Sequence, residues 1–149
     1  MAKHRTRIAY FVLIAIMAML SFTACEEGES GELTLPDRAA IGSVKFIYSE
    51  EIRETTNEED IDEIFDILDA LAFKARESYN DTPMVQGYID IEFGLSDGGQ
   101  TPSLYVFKDE DGFFVEEPYN GVFPLTEMQY EKIYAIYLAA AEEVEKEQG

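Results

Sequence analysis

Three short segments in the second half of the chain, 88–93 (YIDIEF), 103–108 (SLYVFK) and 113–117 (FFVEE), are separated by two stretches rich in turn residues. In the first, Ile89, Ile91 and Phe93 fall on one face, the period of two that marks a strand. Asp97-Gly98-Gly99-Gln100-Thr101-Pro102 and Asp109-Glu110-Asp111-Gly112 carry the Asp, Gly and Pro chemistry of hairpin loops. A parallel crossover needs about a dozen residues or more, so connections this short force an antiparallel meander. Any fold open to this chain is built around that sheet.

The rest of the pattern adds to it. Segment 42–49 (GSVKFIYS) sets Val44, Phe46 and Tyr48 against Ser43, Lys45 and Ile47, a strand with one mostly polar face. Glu50 and Glu51 mark a turn, and 52–55 is expected as a short return. The period then changes. Ile61, Ile64, Phe65, Leu68, Leu71 and Ala72 recur at helical spacing, with Thr56 and Glu59 as the expected capping box. Segment 74–80 is expected to run extended into the turn residues Asn80-Asp81-Thr82-Pro83. A last helix opens on the Thr126–Gln129 capping pair, with Leu125 placed to staple onto Tyr130. Its expected apolar stripe is Ile133, Tyr134, Tyr137, Leu138, Ala141 and Val144.

The predicted fold class is therefore α+β: an antiparallel meander sheet of about four to five strands, with two amphipathic helices packed on one face. Segments 103–108 and 113–117 are apolar on both faces. Either a helix covers each face, or an exposed aromatic patch binds a peptide, a glycan or a partner protein.

The N-terminus reads as an address. Lys3, Arg5 and Arg7 precede the uncharged apolar run 8–20, which ends in Ser21-Phe22-Thr23-Ala24-Cys25. A charged start, an apolar run of ~7 to 15 residues and a small residue at the cut make a secretory signal over 1–24. An uncleaved anchor helix is the weaker alternative, because 8–25 only reaches the lower limit of ~17 to 25 residues for a span and is interrupted by Ser21 and Thr23. Residues 25–40, acidic and Gly-containing, read as a flexible tether, and 41–149 as a single domain. A chain with one cysteine has no disulfide scaffold.

Phe22-Thr23-Ala24-Cys25 resembles the lipobox of bacterial lipoproteins, with Phe22 in place of the commoner Leu. The resemblance implies that Cys25 carries a diacylglyceryl group and becomes the first residue of the mature protein. The expected location is the extracytoplasmic face of the cell membrane, where two acyl chains hold a protein stably. The leader holds three of the 11 basic residues and no acid, so its removal leaves 8 basic against 31 acidic side chains, a formal charge of −23. Such a domain is expected to be held off an anionic bilayer by its tether and to attract cationic partners. Nucleic acid is excluded, since phosphate contacts need a basic face.

Glu77-Ser78-Tyr79-Asn80-Asp81-Thr82-Pro83, 88–93, Leu104-Tyr105-Val106-Phe107 and Glu116-Glu117-Pro118-Tyr119-Asn120-Gly121-Val122 resemble a family of small Gram-positive lipoproteins that carry a domain of unknown function. The likeness runs from about Ser43 to Glu131, and its most specific parts are Ser-x-Asn-Asp-x-Pro and Glu-Pro-Tyr-Asn-Gly. It implies export and a fold, and no activity.

Elimination narrows the chemistry. The one histidine, His4, lies in the leader, and the one cysteine is the lipid site. The mature chain then has no Ser-His-Asp or Cys-His arrangement, no His or Cys metal site, and no GxxxxGK[ST] phosphate loop. A carboxylate pair, Glu92 with Glu116 or Glu117, is the remaining route to a glycosidase-like envelope hydrolase. Asp109, Glu110 and Asp111, with Asp97 in the other loop, lack the spacing of a calcium loop, so no metal and no cofactor are expected. The candidate recognition residues are Asn80, Asp81 and Pro83 in one loop and Glu117, Tyr119 and Asn120 in the other. Their competing reading is that turns need such residues anyway. The expected function is non-enzymatic: a lipid-anchored acidic domain that binds an envelope protein or peptide. The rivals are the carboxylate hydrolase and a purely structural or inhibitory accessory of a neighbouring membrane protein.

Overall fold

Alternation of apolar and polar residues lays down the strands, and their order follows from the short connections between them. The computed structural model describes residues 30–147, with side chains to residue 140. The expected leader 1–24, the expected lipid site Cys25 and the start of the expected tether lie outside the described residues. The elements are β1 (Ile41–Tyr48), β2 (Glu51–Thr55), α1 (Glu58–Asp69), β3 (Tyr88–Leu95), β4 (Leu104–Asp109), β5 (Gly112–Glu117), β6 (Gly121–Leu125) and α2 (Glu127–Glu147). The strands form one sheet of six in the order β2-β1-β3-β4-β5-β6, antiparallel throughout. The class is α+β as expected, with one more strand than the largest number anticipated. The extra strand is β6, whose Pro124 masks the pattern; it lies at the sheet edge, where a missing N–H is tolerated.

Both helices bury their stripes on one face. Val44, Phe46, Ile89, Ile91, Phe93, Leu104, Val106, Val115, Phe123 and Leu125 meet Ile61, Ile64, Ile67 and Leu68 of α1 and Ile133, Ile136, Tyr137 and Ala140 of α2. Lys132 of α2 pairs with Glu63 of α1 across the solvent side. Two local expectations shift. The cap of α1 is Asn57, not Thr56: its side chain accepts from the Glu59 amide at 2.8 Å and the Asp60 amide at 3.5 Å. Asn is the stronger N-cap, and Thr55 backs it by accepting from the Asn57 amide at 3.2 Å. On α2 the Thr126–Gln129 box forms as expected, but the buried stripe runs through Ile133, Ile136, Tyr137 and Ala140, leaving Tyr134 and Leu138 exposed. Ala141 and Val144 lie beyond the described side chains.

The opposite face has its own small cluster, Phe107, Phe114 and Val122, against which Val85 and Tyr88 pack. No helix covers it. The irregular segment 73–87 does, which resolves the two-sided apolarity of β4 and β5.

The expectation of a flexible tether over 25–40 does not hold for residues 30–40. Leu33 and Leu35 pack against the main core, Ser30 bridges to Phe73, and the Gly31 amide donates to the Ala72 carbonyl at 3.3 Å. Residues 30–40 are therefore part of the domain surface, because even two leucines in a polar stretch are worth burying.

Candidate functional site

The sheet register places one row of side chains across the face away from the helices: Ile52, Ile47, Asp90, Tyr105, Glu116 and Val122, one from each strand. Segment 73–87 lies over its β4–β6 half and leaves the β2 end open. The Ala75 amide donates to the Val122 carbonyl at 2.7 Å and the Val122 amide to the Arg76 carbonyl at 2.8 Å, so the segment also pairs with the outer edge of β6. An edge paired in this way offers little backbone for a stray strand.

The two sequence motifs meet here. Ser78 donates to the Glu116 carboxylate at 2.6 Å, with both residues buried. Tyr119 donates its phenol to Asp81 at 2.5 Å on the exposed side. That bond holds the Tyr119 hydroxyl proton more tightly than usual. Tyr119 adopts φ 61°, the left-handed region that bulky residues rarely occupy. Arg76, Ser78, Tyr79, Asn80, Met84, Phe107 and Glu116 contribute to a cleft of about 320 Å³ between the segment and the sheet.

The remaining predicted residues are spent on architecture. Pro83 is buried. Glu117 accepts from the Thr34 amide at 2.9 Å and from the Asn120 side chain at 2.7 Å, while Asn120 also donates to the Glu32 carbonyl at 2.8 Å. Together they clamp the incoming chain to the β5–β6 turn. The Lys74 stem completes the clamp by passing over both Gly31 and Gly121, where an added Cβ would fall 2.5 and 2.8 Å from it. Of the six candidate recognition residues, Asn80, Asp81 and Tyr119 remain exposed, while Glu117, Asn120 and Pro83 serve the turns.

The proposed carboxylate pair is not brought together. Glu92 pairs with Lys45 at 2.9 Å, strand β4 lies between it and β5, and Glu116 and Glu117 have the partners given above. The calcium candidates are likewise occupied: Asp109 accepts from the Asp111 and Gly112 amides and pairs with Arg76 at 2.7 Å, and Asp97 caps its own turn through the Gly99 amide at 2.9 Å. Arg76 also holds the Asp109 carboxyl below its usual value. Among the described residues no group of three or more His, Cys, Asp or Glu is arranged to hold a metal ion.

Sequence reasoning missed Asp90 and Ser78. Asp90 accepts from Ser103 at 3.0 Å through one oxygen, while its other oxygen is sealed from solvent without a hydrogen-bond partner. Burial is the main cause that pushes this carboxyl above its usual value, and Glu92 adds to it. Burial likewise raises Tyr105, whose ring stands edge-on to Tyr88 at 5.1 Å. The available signal was parity: Glu116 shares the strand face of Phe114, so an acid stood at an inward position.

Comparison with known proteins adds family and fold. No curated protein matches the chain. An NMR structure of a protein from Ruminococcus gnavus is similar in fold, with a TM-score of 0.53 and 20% identity over 66% of this chain and 99% of that one. The DUF5301 family model, described as a domain of unknown function (DUF5300), matches residues 29–124, which span all but the last residue of the sheet, both motifs and the clamped segment. The chain belongs to that family.

Proposed function

We propose that this protein is a lipid-anchored, extracytoplasmic, non-enzymatic binding module, whose acidic domain takes an envelope protein or peptide at the cleft between segment 73–87 and the sheet. The lipobox at Cys25 and the leader before it support the anchor. The Tyr119–Asp81 bond carries the reading of the cleft. Two exposed side chains from separate motifs are joined next to Asn80, which lines the cleft, one of them in a backbone conformation that costs about 1–2 kcal/mol for a residue other than glycine. The phenol at this strained position reaches Asp81, which gives the turn a contact beyond its own backbone. Carboxylates and a phenol beside the cleft suit a partner with cationic and hydrogen-bonding groups.

The test is in-envelope photo-crosslinking from Tyr79, compared with Ile52 on the far edge of the sheet. A specific adduct is expected from position 79, lost in the Asp81→Ala, Tyr119→Ala double variant while its melting temperature stays near that of the parent. An adduct that survives those changes, or forms equally from Ile52, overturns the site. Cys25→Ser is expected to abolish detergent-phase partitioning of the mature form; unchanged mass and partitioning overturn the anchor.

A further inference from the structure

The shortened tether fixes how the domain meets the bilayer. Ser30 is held in the domain by its bridge to Phe73, and the chain that follows is clamped by Asn120 and Glu117. Cys25 and Ser30 are five residues apart, and whatever path the chain takes between them it spans at most about 18 Å. A domain of this size has a radius of gyration of about 13 Å, hence a diameter of roughly 34 Å. If the Ser30 edge pointed away from the membrane, the chain would have to cover that diameter. It falls short by almost half.

The edge that must face the bilayer is the one where segment 73–87 and the β5–β6 turn meet. It exposes large side chains: Phe73 is 63% exposed, Tyr79 77%, Met84 88% and Tyr119 67%. Phenols and apolar side chains together suit the headgroup layer. Cations offset two of the nearby acids, Glu77 by Lys74 and Asp109 by Arg76, while Asp81 and Glu117 keep their charge in bonds to a phenol and an amide, so the contact is an apolar one and departs from the expectation that the tether holds the domain off the bilayer. We infer that the domain seats this edge on the membrane surface, Phe73 and Met84 touching lipid, so that its cleft opens at headgroup height. The contact needs little intrinsic affinity, since the anchor makes it intramolecular and so supplies a high effective concentration. The inference rests on the lipid-anchor reading, and it narrows the partner to one whose binding segment lies close to the bilayer.

Single-cysteine variants Phe73→Cys, Met84→Cys and Ile52→Cys of the lipidated protein test it. Ile52 is 62% exposed, like Phe73, but lies on the opposite edge strand, five strand spacings or about 24 Å across the sheet. Each variant carries a fluorescent label in phosphatidylcholine–phosphatidylglycerol vesicles with a nitroxide-headgroup lipid, after circular dichroism has matched it to the parent. Strong quenching at 73 and 84 and little at 52 is the expected result. Equal quenching at the three positions, or the strongest at 52, overturns the seating. The parent protein serves as the separate control: thiol labelling of Cys25, or loss of the protein from the vesicles, would instead strike the anchor reading.

Discussion

Three side chains on the face away from the helices carry most of the cost of this arrangement. Glu116 is 6% exposed and Ser78 4%, so the bond between them replaces hydration that the carboxylate has lost. Ser78→Ala should destabilise the domain by about 1.5–3 kcal/mol, the usual worth of a hydrogen bond to a charged group, and lower the melting temperature accordingly. Glu116→Gln keeps an acceptor for Ser78 and should cost about 1 kcal/mol or less; equal losses for the two variants would mean that the bond is not what matters. Asp90 acts in the opposite sense. Its carboxyl holds a proton more tightly folded than unfolded, chiefly through burial. Its contribution is therefore most favourable below the ordinary carboxylate value of about 3.9 and declines as pH rises through the higher folded value. Asp109, held down by Arg76, runs the other way: its stabilisation is present above the ordinary value and fades as pH falls through the folded one. Asp90→Asn should therefore raise the melting temperature at about pH 7 and leave it little changed at about pH 4. A variant less stable than the parent at neutral pH would show that the charge is compensated.

At the scale of elements, the segment before β1 is the one whose role changed most between sequence and structure. Leu33 and Leu35 are half-buried on the core, so Leu33→Ala and Leu35→Ala should each cost about 1 kcal/mol, read as a lower urea midpoint; a true tether would lose nothing. This segment also shows what a sequence can and cannot reveal. β1 and β3 were legible because a period of two needs only five or six residues to declare itself, β4 and β5 because turn residues bound their short apolar runs, and both helices because their caps flank a run of period 3.6. The cover over the second face was not. Segment 73–87 has no period: it is held by backbone bonds to Val122 and by Ser78 beneath it, contacts that span 38 residues or more of chain. The candidate loops were half legible for the same reason. Asn, Asp, Pro and Gly announce a turn, but only the fold decides that Tyr119 reaches Asp81 while Asn120 turns to Glu32.

For the whole molecule the question is what a formal charge of −20 does to a fold tied by surface ion pairs. The pairs among the described residues, such as Arg38–Asp62, Arg53–Glu51 and Lys132–Glu63, each have an acid open to water. Each is worth ~0–1 kcal/mol. Against them stands repulsion among 31 acids with 11 cations to offset them, and that repulsion reaches as far as the Debye length allows. Between about 10 mM and 150 mM NaCl that length falls from ~30 Å, close to the size of the domain, to ~8 Å, close to the spacing of neighbours. The step removes mainly long-range repulsion and spares the contact pairs. The melting temperature of the purified protein should therefore rise over this range, by a few degrees if about 0.5–1 kcal/mol of repulsion is relieved. A fall would mean that the ion pairs outweigh the net charge. Capture of a cationic partner at the cleft should move the opposite way and weaken over the same step, because there the screened interaction is the attraction.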